Sequence, residues 1–566
     1  MKLLSLEINS KFRSLDKGFK IQFHQQDNLE AMLEFNPFCL VGLNGCGKSN
    51  VLEALSEIFY HVELCVGLHL PSVLHDENVF ISQVCAVNAF KLQYMTSDSP
   101  QNEITREHTV IVTISKEVNE SPKITVRSQG VAPMLSFDLG KFHVSQSSLV
   151  KSFLPQYIVA YSSGENETLS IPYIKSRFIH LHEFKENIVN DVVDYSSPEN
   201  SLIYVDANMS QAILLSCLLF ENANALKSLA DYDNTGILGI KRFRMRLRKE
   251  VFADERGAKF SYFALFERKR RTINGIMGKE LFEILSNVSS ISWYDEKIHA
   301  YYFDFWVNEA TKQAFRSYFH TAIECFQVFR LLYELNNYAV TMEKQKEIFE
   351  SRGVYTEGKF GTPGADNDIF HFLDFFLVKQ MNRQGKQEDL LLRQFSDGEH
   401  QFIHMMAICL LLKDADSLLI LDEPETHFNP SWRSRFVSIL NETLKNACEG
   451  NEHNFKKDIL ITTHSPFIIS DCKPENVIIL RKDKEGQTLA KKASQENIMT
   501  YGASTSFIQA KIFGNKDAIG GKAYQEMKKM SEQTDMDKQQ LLNDVSTLFG
   551  ESLEKLMILG KINNRE

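Results

Sequence analysis

Gly42-Leu43-Asn44-Gly45-Cys46-Gly47-Lys48-Ser49 follows the spacing G-x-x-x-x-G-K-[ST] of a loop that cradles phosphates. Its glycines let successive backbone N–H groups turn inward at a helix N-terminus, a lysine at the position of Lys48 neutralises β- and γ-phosphate oxygens, and a hydroxyl such as that of Ser49 reaches Mg²⁺. Gly42, Asn44, Gly45, Cys46, Gly47, Lys48, Ser49 and Asn50 are therefore the candidate contacts to ATP.

Far downstream, Ser417-Leu418-Leu419-Ile420-Leu421 ends in the carboxylates Asp422 and Glu423. A buried strand delivering acids to a phosphate-bound metal needs this pattern: Asp422 to hold Mg²⁺, with Ser49 as the other metal-side residue, and Glu423 to polarise the attacking water. Alone, the run reads equally well as a core strand entering an acidic turn; pairing with a phosphate loop favours the catalytic reading. Ile461-Thr462-Thr463-His464-Ser465-Pro466 places His464 just past another apolar strand, within reach of a γ-phosphate on the same sheet edge. The catalytic candidates are thus Glu423, His464 and Lys48. Ser396, Asp397, Gly398 and Glu399 open the helix before the acidic strand; by themselves they form a helix cap, Ser396 with Glu399 making a capping box.

Positioning these groups requires an α/β core. Phe38–Val41 reads as the strand entering the glycine loop and Ser49–Tyr60 as the helix leaving it, with apolar residues at spacings of three and four. After residue 395 the pattern resumes with a helix over Gln401–Lys413, a strand over Ser417–Leu421, a helix over Trp432–Ala447 and a strand over Asp458–Thr462. Leu3–Ile8 and Phe19–Phe23 suggest an opening hairpin. Ala89–Tyr94, Thr109–Ser115 and Lys123–Arg127 suggest an antiparallel accessory sheet. Between them lie expected helices over Ser210–Ala230 and Glu309–Glu350 and strands over Gly239–Arg248 and Lys297–Trp306. The expected division is residues 1–60 as the first half of the core, 61–150 as the β subdomain, 151–390 as a mixed, mainly helical insertion, 391–513 as the second half of the core, and 514–566 as a helical tail suited to capping or docking.

The order of phosphate loop, serine-glycine turn, acidic strand and histidine resembles the ABC-type ATPases, strongly over residues 1–60 and 390–475. The resemblance implies a split P-loop domain in which Ser396 to Glu399 of one copy cover ATP held by the phosphate loop of another, giving a homodimer or higher homo-oligomer closed head to tail around ATP and Mg²⁺. Glu423-Pro424-Glu425-Thr426-His427-Phe428-Asn429-Pro430 and the Thr-His-Ser-Pro run look more like the soluble branch with RecF-like and OLD-like members. Asp535-Met536-Asp537 lacks the apolar strand that a toprim nuclease pair would need, so nuclease chemistry is assigned to a partner. The Tyr161-Ser162-Ser163-Gly164-Glu165-Asn166 turn and the tail from Tyr501-Gly502-Ala503-Ser504 are similar to the PtuA ATPases of Septu anti-phage systems, including the form beside retrons. That similarity implies an HNH nuclease of PtuB type as partner and, in a retron, a reverse transcriptase and its msDNA. The alternative is a RecF- or OLD-like repair or recombination ATPase acting on DNA itself.

Lys241-Arg242-Phe243-Arg244-Met245-Arg246-Leu247-Arg248 would, as a strand, put Arg242, Arg244, Arg246 and Arg248 on one face. That face serves either a nucleic-acid backbone or a charge-protected sheet edge, and Arg268-Lys269-Arg270-Arg271 adds a second basic cluster. The net charge of -10 excludes general nucleic-acid attraction by the whole surface. Nine scattered cysteines without a C-x-x-C pair point to a reducing cytoplasm and no zinc. No apolar run approaches a membrane span, and His180-Leu181-His182-Glu183 reads as a surface turn rather than a metal site.

Overall fold

Parallel strands must be joined by crossovers, usually helices, so the alternation beyond residue 395 calls for a parallel sheet covered on both faces. The computed structural model contains that sheet. It describes the chain except residues 27–28, 69, 98–107, 129–134, 142–143, 165, 190–199, 250, 254–258, 262–271, 274–275, 352–367, 448–456, 516–518, 533–535 and 565–566. From edge to edge the seven strands are Thr488–Lys492, Val477–Lys482, Phe38–Val41, Lys457–Thr462, Ser417–Asp422, Tyr157–Ser162 and Leu202–Tyr204. Only the first pair is antiparallel. The three central strands, Phe38–Val41, Lys457–Thr462 and Ser417–Asp422, are buried at every residue. The split α/β architecture expected of the chain is present, with differences in which strands join the core sheet. Tyr157–Ser162 and Leu202–Tyr204, expected within the insertion, complete the core sheet, because Ile158, Val159 and Ala160 form the same kind of two-sided buried run as the acidic strand beside them.

The accessory sheet is antiparallel and has six strands, ordered Phe19–Gln22, Lys2–Ile8, Phe90–Ser97, Thr109–Lys116, Lys123–Ser128 and Leu135–Asp138. The opening hairpin therefore belongs to it rather than to the phosphate-loop sheet. Lys2 Nζ donates to the Lys457 carbonyl (2.8 Å) and Leu3 N to Asp458 (2.6 Å), joining the two sheets where two buried strands meet.

A second antiparallel sheet runs Ile291–Asp295, Ala300–Trp306, Ile237–Arg248, Phe370–Gln380 and Gln387–Leu391. Its inner face is aromatic: Phe243 stacks on Phe305 with centroids 4.3 Å apart, and Phe315, Phe372 and Phe375 surround the pair. On the strand's arginine side, Asp304 takes both Arg242 and Arg244, and Arg244 also lies 3.5 Å from Asp374. Arg246 is 7% exposed and donates to the Asp368 carbonyl (3.4 Å). Half of the expected phosphate-binding charge is thus held by a carboxylate on the neighbouring strand. The Arg268–Arg271 cluster lies outside the described residues.

Helical stretches expected as long are broken where side chains cap new starts. Glu309–Glu350 divides into Glu309–Tyr318, Ala322–Glu334 and Met342–Glu350, with Thr321 and Thr341 each accepting a backbone N–H as N-cap. Ser210–Ala230 is Ala207–Phe220 followed by Lys227–Ala230, whose start has no side-chain cap. The tail forms three helices, Gly521–Glu532, Lys538–Leu548 and Leu553–Asn563, around Met527, Leu541, Val545, Ile558 and Ile562. Asp537 caps the second of these through the N–H groups of Gln539 and Gln540, and Asp535 lies outside the described residues.

The His180–Glu183 run is not a surface turn. It lies inside the helix Glu167–Val189, where His180 is 2% and Glu183 1% exposed. His180 pairs with Glu334, which also accepts from Arg330 Nε at 2.8 Å, and Arg330 reaches the Leu202 carbonyl at 3.1 Å. Burial alone would raise the Glu334 pKa, but His180 and Arg330 outweigh it and hold the carboxyl at about 2 against an ordinary 4.5. Glu334→Gln leaves the buried Arg330 charge uncompensated and should cost about 3–5 kcal/mol in urea unfolding at neutral pH. Because the folded-state pKa is depressed, the wild-type advantage is complete above pH 4.5 and shrinks as pH falls towards 2.

Candidate nucleotide site

Four parallel neighbours, Phe38–Val41, Lys457–Thr462, Ser417–Asp422 and Tyr157–Ser162, end on the same sheet edge, and each is followed by a loop carrying polar chemistry. After the first, Gly42, Gly45 and Gly47 take φ of 149°, 75° and 97°, backbone that side chains rarely adopt. At Gly42 the limit is also steric, since a Cβ would sit 2.3 Å from the Leu480 carbonyl oxygen. Lys48 begins the helix Lys48–Val66, longer at both ends than the sequence pattern suggests. Its ammonium curls over the loop, donating to the carbonyls of Gly42 (3.1 Å) and Leu43 (3.4 Å). Burial lowers its pKa, opposed by Cys46, Glu423 and Asp422.

Asp422 is the hub. Its Oδ1 accepts from Ser49 Oγ (3.2 Å) and Thr462 Oγ1 (2.6 Å), and its Oδ2 from Asn166 Nδ2 (2.8 Å). A serine hydroxyl beside a carboxylate is the hard-oxygen pair that suits Mg²⁺, so Ser49 and Asp422 fit the ion expected with ATP. Glu423 follows with φ 47°, held there by its N–H to Thr462. Its side chain is 41% exposed and lies 3.5 Å from His464 Nε2. Burial and the Lys48 charge lower the His464 pKa, favouring a neutral ring able to donate one hydrogen bond.

Asn166 and Arg13 were not singled out as site residues. Asn166 closes a relay: Thr168 Oγ1, 2.9 Å from its Oδ1, shares its single hydrogen between Asn166 and Glu53 on the phosphate-loop helix, and Glu53 pairs with Arg13 at 3.3 Å. Asn50 ties the same helix to the N-terminal loop by accepting from Ser14 Oγ at 2.6 Å. Asn166 comes to the site only through the pairing of the strand before it with the acidic one, a long-range contact. Asn166→Ala should leave folding intact and reduce turnover about tenfold by letting Asp422 rotate, read as a higher Mg²⁺ requirement in a phosphate-release assay.

Ser396 and Glu399 form the expected capping box, with Ser396 N donating to Glu399 at 3.0 Å, and Glu399 is also paired to Lys379. Gly398 is fixed by packing: a Cβ would lie 2.6 Å from the His427 carbonyl oxygen, in the loop following Glu423. Among the described residues no hydrogen bond or ion pair joins Ser396–Glu399 to Gly42–Ser49.

No described helix is long and apolar enough to cross a membrane. No curated protein matches the chain. Among solved structures, the SMC head bound to the C-winged helix domain of ScpA aligns at 9% identity over 88% of this chain and 99% of its own, with a TM-score of 0.33. The SMC head with an extended coiled coil bound to the C-terminal domain of ScpA, from Pyrococcus furiosus, aligns at 10% identity over 88% and 98%, with a TM-score of 0.31. The family described as "AAA domain, putative AbiEii toxin, Type IV TA system" matches residues 336–470, which include Ser396, Asp422, Glu423 and His464. The matched segment is similar to that AAA domain family, and the phosphate loop lies upstream of it.

Proposed function

We propose that this chain binds and hydrolyses ATP at a site shared by two copies, and that closing and reopening of the pair regulates an associated HNH nuclease of PtuB type in anti-phage defence. The observation that carries the ATPase reading is the convergence of Ser49, Thr462 and Asn166 on Asp422 beside the phosphate loop. Lys48 and the loop N–H groups orient the β- and γ-phosphates, Glu423 takes a proton from the attacking water, and neutral His464 donates to the γ-phosphate. Mg²⁺ held by Ser49 and Asp422 supplies charge neutralisation at the phosphates. Ser396, Gly398 and the helix N-terminus behind them act from the other copy, where the positive end of the helix dipole meets the same γ-phosphate.

The nuclease partner rests on the similarity of the Tyr161–Asn166 turn and the tail to PtuA ATPases, and the toxin description of the matched domain family agrees with an effector role. The RecF- or OLD-like alternative needs phosphate-binding charge on this chain, which Asp304 compensates at Arg242 and Arg244. Purifying the chain together with the product of its neighbouring gene decides between them. Retention of an HNH nuclease and an ATP-dependent change in its cutting supports the proposal; tight ATP-dependent DNA binding by the chain alone, with no nuclease retained, rejects it in favour of the alternative.

A further inference from the structure

The phosphate-loop helix and the helix Glu167–Val189 start at the nucleotide site and run together away from it, and a cavity of about 320 Å³ opens beside the far half of the first and the middle of the second. Glu57, Tyr60 and His61 from the first helix and Lys175 from the second line it, with Phe80 and Phe349 opposite. A volume of this order suits a small ligand. Glu57 is 6% exposed, faces the cavity and accepts no hydrogen bond among the described residues. Burial raises the Glu57 pKa, opposed first by the Lys175 charge and then by Arg13, and a cationic donor in the cavity would favour the ionised carboxylate.

The charges facing Glu57 define that partner. Lys175, 4% exposed, already donates to the carbonyls of Phe349 (3.4 Å) and Ser351 (2.6 Å) and lies over the Tyr60 ring. Arg13 is engaged by Glu53, and Lys346, outside the lining, by Asp76 at 3.1 Å and by Glu350 at 3.9 Å. Lys116, behind Cys65 and Cys85, donates to the Asn88 carbonyl. His61 donates from Nε2 to the Ser82 carbonyl at 2.9 Å, and burial lowers its pKa to about 4, so it adds no charge at neutral pH. Glu77 and Glu350 add two carboxylates to the wall. Acids thus outnumber the bases that line the space, and aromatic faces from Tyr60, Phe80 and Phe349 stand beside them.

We propose that this cavity is a binding site for a free small molecule with an amine or guanidinium head, which donates to Glu57 and rests against the aromatic wall. The test uses the full chain without nucleotide, so its outcome is independent of the ATPase reading. Agmatine, which carries both cationic heads and no carboxylate, is titrated calorimetrically, with glutarate as the anionic control. Agmatine should bind once per chain and glutarate should not. Glu57→Gln, which keeps the side-chain volume, should weaken binding about tenfold or more. Val84→Trp, filling the cavity from its loop wall, should abolish binding without touching the charged groups. Should Glu57→Gln fail to fold, the second variant and the wild-type pH dependence still decide, because acid must weaken binding as the Glu57 carboxylate is protonated. No binding of agmatine at millimolar concentration, or binding indifferent to both variants and to acid, overturns the proposal. So does tighter binding of acetyl-glycyl-arginyl-glycinamide than of agmatine, which would make the ligand a protein side chain.

Discussion

On the proposed mechanism Glu423→Gln should lower ATP turnover by about 10²–10⁴-fold while ATP remains bound, because the substitution removes the general base. Glutamine keeps the volume and the 47° φ of Glu423, and the N–H contacts to Thr462 that hold this backbone are unchanged. The loss should therefore appear in kcat rather than KM, the signature of an interaction made only in the transition state. Phosphate release and nucleotide retention on the same sample check it. Turnover within twofold of wild type would reassign the base, with His464, 3.5 Å away, next to be examined.

Lys48→Ala should act on the other side of the equation. On the proposed mechanism the ammonium offers charge-assisted hydrogen bonds to two phosphates, each worth about 1.5–3 kcal/mol, so ATP affinity should fall by at least about 100-fold. The free protein should be no less stable, since Lys48 is 7% exposed, burial lowers its pKa, and its partners in the loop are backbone carbonyls. Thermal unfolding with and without Mg²⁺-ATP separates these effects: wild type gains stability with nucleotide by mass action and the variant does not. A variant that retained the full nucleotide shift would show that the loop N–H groups suffice.

The groups that share a short motif were legible in the chain. Gly42 to Ser49, the Asp422-Glu423 pair and His464 each sit at fixed spacing from a strand, and the sheet brings them to one edge. What was not legible depends on strand pairing across long separations. Asn166 reaches Asp422 because Ser162 pairs with Asp422 in parallel register, which nothing near Asn166 encodes. The need for glycine at 398 arises from the His427 carbonyl, and the compensation of Arg242 and Arg244 from Asp304 on a separate strand. His180 shows the reverse case: two histidines and a glutamate look polar and exposed until the helix turns His180 onto Glu334. The helix breaks at Thr321 and Thr341 were readable, since both are N-cap residues with an acid within the following turn.

The central claim is that one ATP site is completed by a second copy. Sedimentation of the Glu423→Gln chain, with bound nucleotide quantified, tests it most directly. Mg²⁺-ATP should double the mass of the sedimenting species, and adding Ser396→Arg, at the exposed cap of the covering helix, should abolish that doubling while ATP stays bound. A mass unchanged by bound ATP, or a doubling indifferent to Ser396→Arg, would contradict it.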